Sequence, residues 1–303
     1  MIIQFSTNRF QRFIGIIRYN YKAILIFLSI DFAVFYLYKY LDVNLHMPAV
    51  PISILGGALA IFLGFRNNSA YDRWWEARKI WGGIVNVSRS FSFELIALIH
   101  KNADSRKIIY RHLAWLNSVK LQLRKQSDTS EIEQYLSVEE YNQTKEWANP
   151  ATQFLRIQAE EIGKMKNEGR ISDIEQKQVI ESLKTMMDLQ GMAERIKGTV
   201  FPYYYVYFTQ VFLWVFILLL PCILVEDMGW SAIPMAMGIS FVFYILDKSG
   251  HITEDPFENR AADTPMSAIC RIIEIDVKQM LGESNIPEKM PTEFTDYNVE
   301  FLK

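Results

Sequence analysis

The chain is poor in cysteine and histidine, and long stretches of its 303 residues carry no charge. Cys222 and Cys270 are too few for a disulfide framework or a multi-cysteine metal site. His46, His100, His112 and His251 are scattered, without the short spacings that bring ligands to one metal ion. There is no phosphate loop, dinucleotide fingerprint, nucleophile elbow or HExxH pair. No catalytic residue, metal site or cofactor is expected, and the chain does not read as an enzyme. With 32 Lys+Arg against 34 Asp+Glu, it also lacks the basic excess of a nucleic-acid binder. Half of the residues are hydrophobic, which excludes a disordered chain.

The missing charges are grouped. Val43–Phe65, Gly198–Val225 and Met228–Leu246 contain no Asp, Glu, Lys or Arg, and Ala23–Tyr38 contains only Asp31. A bilayer core needs roughly 20 apolar helical residues to cross it. The stretches therefore predict four transmembrane helices in two hairpins with short links. Arg9, Arg12, Arg18 and Lys22 precede the first span, and Arg66, Arg73, Arg78 and Lys79 follow the second. Of Lys and Arg, the links carry Lys39 at most. The positive-inside bias then puts both termini and the middle of the chain in the cytoplasm, with the N-terminal stretch a retained anchor. The organisation expected is 1–66, N-terminal segment and first hairpin; 67–197, cytosolic helical domain; 198–250, second hairpin; and 251–303, C-terminal helix and extended tail.

The charged middle reads as helix. Ile80, Ile84, Val87, Phe91 and Leu95 form one stripe of a long helix continuing from the second span. Further periodic stretches run over Ser105–Leu123, Ser130–Ala148, Ala151–Asn167 and Ser172–Lys197. The last opens on a Ser172/Glu175 capping box. Asp263-Thr264-Pro265 opens a final helix that stops near Gly282. The expected fold class is all-α.

The second span is rich in small residues. Gly56, Ala60 and Gly64 form one stripe, which suits close helix packing; Gly57, Ile61, Phe65 and Ser69 form the next. Around an oligomer axis Ile61 and Phe65 would make apolar rings able to gate by dewetting. Spacing alone equally allows them to face lipid or another helix. Asp42 near the outer mouth would favour cations if it faced a pore. Asp31 within a span is either a functional group or an interhelical contact. Arg66, Arg73 and Arg78 are expected to pair with Asp72 and Glu76 of this or a neighbouring helix.

Residues 64–82, GFRNNSAYDRWWEARKIWG, resemble the bestrophin family, in particular its bacterial branch. The pieces that match are Pro51-Ile52-Ser53, Gly64-Phe65-Arg66-Asn67, Arg73-Trp74-Trp75, Glu76-Ala77-Arg78-Lys79 and Trp81-Gly82, then Glu254-Asp255-Pro256-Phe257, Asp263 and Ile272-Ile273-Glu274. The resemblance runs from about residue 10 to 285. It implies a homopentameric channel with one axial pore, lined by a hydrophobic neck at Gly57, Ile61 and Phe65. Gly57 departs from the family, which usually has a bulky aliphatic residue there. A cytosolic aperture, a single apolar ring at the end of the middle domain, is matched to Ile196. Animal members hold calcium in a clasp after the last span. The matching turn here, with Asp255, Glu258 and Asp263, has lost the acidic run and gained Arg260, so no metal is expected; Asp255 and Asp263 should cap the next helix or pair with Arg260.

The resemblance to bacterial members, with Asp42, favours small monovalent cations; an anion such as chloride is the alternative. The expected partners are monovalent ions, further copies of the chain and the lipid bilayer, with no nucleic acid, in a bacterial inner membrane. Two rival readings stand beside the channel: a membrane scaffold or regulatory subunit acting through its cytosolic helices, and a proton-coupled secondary transporter using Asp31.

Overall fold

A computed structural model describes residues 9–45, 47–99, 103–294 and 300–301. His46 and His100, two of the four scattered histidines, lie outside the described residues. Eleven α-helices follow in chain order among them: α1 (Arg9–Tyr19), α2 (Tyr21–Tyr40), α3 (Ala49–Ile99), α4 (Ala103–Leu123), α5 (Ser130–Glu133), α6 (Val138–Thr144), α7 (Pro150–Asn167), α8 (Asp173–Gly198), α9 (Tyr203–Met228), α10 (Ala232–Thr253) and α11 (Met266–Leu281). The described part of the tail adds a two-residue antiparallel ladder, β1 (Glu293–Phe294) with β2 (Glu300–Phe301), where an unpaired extended tail was expected.

Three helical stretches are long and apolar enough to cross a membrane: Tyr21–Tyr40, Ala49–Leu98 and Tyr203–Thr253. The third is α9 and α10, joined by a tight turn at Gly229–Ser231 where Gly229 takes a left-handed φ of 57°. The apolar part thus has four legs: α2, the first half of α3, α9 and α10. They enclose a core of Phe27 from α2, Leu59 and Leu63 from α3, Leu213 and Ile217 from α9, and Ala236 from α10.

At 51 residues, α3 is about 75 Å long and leaves the apolar part without a break. Its second half buries the expected stripe, Ile80, Ile84, Val87, Phe91 and Leu95. This face meets α4, α8 and α11, with α7 packed behind α4 and α8, in a second, larger core that includes Trp81, Trp115, Phe154, Met186 and Ile273. The helix starts obey local chemistry. The Ser172/Glu175 capping box forms in full, Asn149 caps α7 ahead of Pro150, and Gly282 ends α11 with a φ of 73°. The expected helix over Ser130–Ala148 is instead two short ones. Ser137 turns extended and its Oγ accepts from the Glu140 amide, so α6 restarts there.

Two ionisable groups are buried in this second core, and one of them responds to acid. Arg111 lies between Glu140 and Glu161, its Nη1 2.5 Å from Glu161, and these carboxylates hold the guanidinium charged against the cost of burial. His112 is fully buried and stacked on Trp115 at 5.1 Å between ring centres, and both its nitrogens lack partners. Desolvation pushes its pKa from 6.5 down to about 3. The folded state therefore takes this proton less readily than the unfolded chain. The stability His112 contributes is full above pH 6.5 and is lost as pH falls through that value toward 3. The thermal midpoint of the full chain in detergent should drop more steeply between pH 6.5 and 4 than that of His112→Phe; parallel slopes for the two proteins would reject this role.

Candidate functional site

The sequence points to the middle of α3, and packing there divides the helix into two faces. One face, Ile52, Gly56, Leu59, Leu63, Arg66 and Ala70, is buried against α9 and α10. Gly56 is needed for this contact, since a Cβ there would stand 2.9 Å from the Phe216 ring. The opposite face exposes Val50 at 67%, Ile54 at 67%, Ile61 at 61% and Phe65 at 66%. Gly57 and Gly64 open onto space, with nothing within 4 Å of an added Cβ. The small-residue stripe is therefore not one packing surface within the chain. Gly56 packs, while Ala60 and Gly64 are exposed. An apolar cavity of about 520 Å³ lies beside Ile61 and Phe65, walled by Phe62, Phe201 and Tyr205, with Arg73 also lining it. The Tyr205 hydroxyl donates to the Phe62 carbonyl at 2.7 Å and joins α9 to α3 there.

The charges that follow form a brace. Arg66 is wholly buried; its Nη1 lies 2.6 Å from Asp247 Oδ1 and its Nη2 3.5 Å from Glu254, while Nε lacks a partner. Asn67 donates to the Leu246 carbonyl at 3.0 Å. Arg73 makes three bonds to backbone: Nε to Glu254 O at 3.0 Å, Nη1 to Thr199 O at 2.7 Å and Nη2 to Ile196 O at 2.8 Å. Trp74 Nε1 donates to Ala262 O at 2.8 Å. The Arg-Trp-Trp cluster thus holds the ends of α8 and α10, and the turn after α10, against α3. Within the chain, Arg66 and Arg73 do not pair with Asp72 or Glu76; Glu76 pairs with Arg195 at 2.6 Å instead.

The turn after α10 is closed by a lysine. Lys197 Nζ lies 2.6 Å from Asp255 Oδ2 and also bonds Glu258. Burial opposes ionisation of Asp255, but Lys197 and neighbouring hydrogen bonds hold its carboxyl below the ordinary range. Asp255 neither pairs with Arg260 nor caps α11: its Oδ1 accepts from the Phe257 amide at 3.3 Å. Asp263 does meet Arg260, through its backbone amide at 3.0 Å. Among the described residues, no group of three or more His, Cys, Asp or Glu is placed to hold a metal ion.

Other expected site residues fall elsewhere. Ile196 is 4% exposed and belongs to the second core, because α8 turns that side toward α3. At the other end of α8, Ile174 is 80% exposed. Asp42 is exposed and has a left-handed φ of 47° where the chain leaves α2, a backbone position that Asp tolerates. Asp31 is 3% exposed, and its Oδ2 lacks a partner.

A family model described as Bacterial/Fungal Bestrophin protein matches residues 15–279. The chain belongs to the bacterial bestrophin family. This bestrophin is 33% identical over 269 residues to the Escherichia coli K12 protein named voltage-dependent anion channel-forming protein YneE, covering 89% of the chain and 88% of the relative. It is 32% identical over 243 residues to a protein of the same description from Mesorhizobium japonicum, covering 80% and 78%. Its fold superposes on a crystal structure of a bacterial bestrophin homologue from Klebsiella pneumoniae with a TM-score of 0.81 at 30% identity, covering 86% of this chain and 97% of that one. The all-helical expectation agrees with that structure. The family is one of ion channels, not an enzyme class.

Sequence reasoning missed the Arg66–Asp247 pair, the Lys197 clamp and the exposure of Ile174. One signal for the first was present: Arg66 and Asp247 are each the first charge after a charge-free stretch, and they have opposite signs. Truncating one member leaves the other charged and buried. Arg66→Met should cost about 3–5 kcal/mol in detergent unfolding, and Arg66→Met/Asp247→Leu should recover most of it. A double variant no more stable than the single one would refute the pairing as the source of the loss.

Proposed function

We propose that this bestrophin is a passive channel for small monovalent ions, a homopentamer in a bacterial inner membrane with both termini cytoplasmic. Segments 1–66 and 198–250 form its membrane part, and 67–197 and 251–303 its cytosolic part. The exposed face of α3 carries the reading: four apolar side chains, each about two-thirds exposed, lie opposite the packed side. Around a ring axis Ile61 and Phe65 form two apolar constrictions one turn apart, where a narrow dry throat resists a hydrated ion. Gly57 adds no side chain to a third.

The edges of α3 support ring closure. One edge is small, at Ala60 and Gly64, with open space beside Gly64. The other is bulky, at Phe62 and the cavity beside Tyr205. A small edge seated against the bulky edge of the next copy is a heterologous contact, and such contacts close into rings when the rotation allows. The inner aperture is reassigned to Ile174, whose side chain is free at the end of α8 remote from α9.

The permeant ion in this reading is an anion such as chloride. The neck itself carries no charge. Arg73 lies beside the cavity next to Phe65 and spends its donors on backbone carbonyls, with no carboxylate in ion-pair range among the described residues. Copies of this cation around an axis would raise the anion concentration at the inner mouth. The names of the curated relatives point the same way. The cation preference inferred from Asp42 is given up on the strength of those names.

Reconstituted channels in a tenfold KCl gradient should reverse near the chloride equilibrium potential, about 59 mV from zero. Reversal near the potassium potential would exclude the anion reading. Ile61→Ala/Phe65→Ala should raise flux several-fold, and Gly64→Leu should shift the oligomer toward smaller species without unfolding the chain. Background flux that the neck variants leave unchanged would remove the pore assignment.

A further inference from the structure

A second cavity opens where α9 begins and α10 ends, on the side that the reading above assigns to the cytoplasm. It encloses about 330 Å³, and its wall includes Gln210 and Trp214 from α9 and Tyr244, Asp247, Lys248 and His251 from α10. Asp247 is neutralised by Arg66 at 2.6 Å. Lys248 is not: its Nζ bonds Asn20 Oδ1 at 2.7 Å and lies 3.8 Å over the Tyr19 ring, with no carboxylate in ion-pair range among the described residues. The cavity therefore presents a held ammonium and an imidazole beside aromatic rings.

Its rim has the composition of a headgroup region. Asn20, 4% exposed, joins α1 to α2 and ties both to Lys248. On α1 the apolar Ile14, Ile16 and Ile17 are exposed together with Arg18, and Tyr19, Tyr21 and Trp214 are partly exposed at the same end of the bundle. Exposed isoleucines with flanking cations suit an interfacial helix, and aromatic rings collect at the membrane–water boundary.

We propose that this cavity seats the phosphate-bearing headgroup of an anionic phospholipid of the cytosolic leaflet, held by Lys248 and His251. Trp214 and Leu213 line its apolar side, where acyl chains would leave, and this favours a lipid over free phosphate. Asp247 connects the site to the neck: it shares the cavity wall and bonds Arg66, the residue after Phe65. The inference takes the membrane side of the cavity from the proposed function but does not depend on conduction.

The test is native mass spectrometry of the full-length oligomer in detergent, titrated separately with phosphatidylglycerol and phosphatidylcholine. Phosphatidylglycerol should bind about fivefold more weakly to Lys248→Gln than to wild type, the loss of one cation near a charged surface, with affinity restored in Lys248→Arg. Equal affinity in wild type and Lys248→Gln, or phosphatidylcholine binding as tightly as phosphatidylglycerol, overturns the proposal. Displacement of the lipid by millimolar inorganic phosphate reassigns the site to free phosphate and overturns the lipid source. Should Lys248→Gln fail to fold, His251→Gln carries the same comparison. A chain that binds the lipid but passes no ion rejects the channel and leaves this site standing; a conducting chain whose lipid affinity ignores both residues does the reverse.

Discussion

A buried guanidinium sets the constraint from which the rest of this architecture follows. Arg66 has no exposed surface, and a charge removed from water must find opposite charge or be expelled. Asp247 answers it from α10 and Glu254 from the residue just past its end. That pairing fixes the height of α10 against α3, and Arg73, seven residues later, fixes the end of α8 by the same helix face. Fraying any of these ends would strand a desolvated charge or several carbonyls at once.

With one face of α3 committed in this way, the other is committed too. A helix that buries Ile52, Leu59, Leu63 and Arg66 must turn Ile61 and Phe65 outward, since they lie on the opposite side of a 3.6-residue turn. The same unbroken helix then enters the second core. Movement among α4, α7, α8 and α11 is thereby linked by one rod to the residues of the proposed neck. The Lys197 clamp adds a second link, joining the end of α8 to the turn after α10.

Much of this was legible because the signals were local. Charge-free stretches marked the apolar helices, and the Ile80–Leu95 stripe marked the buried side of α3. The capping box opened α8 as expected. What failed did so where side chains choose among distant partners. Arg66 and Arg73 were assigned carboxylates close in sequence, yet their partners lie more than a hundred residues away. Ile196 was matched to the aperture by resemblance alone, but the rotation of α8 against α3 buries it and leaves Ile174 exposed. Ser130–Ala148 had helical periodicity, which the Ser137 cap overrode.

The sequence alone determined the helical class, the position of the apolar legs and the placing of Ile61 and Phe65 on one stripe, because hydropathy and helical period act over a few turns. The tertiary structure alone decided which charges meet, which isoleucine stands free and where the second cavity opens. Those outcomes depend on the rotation and height of helices brought together from remote parts of the chain, and no local period encodes them.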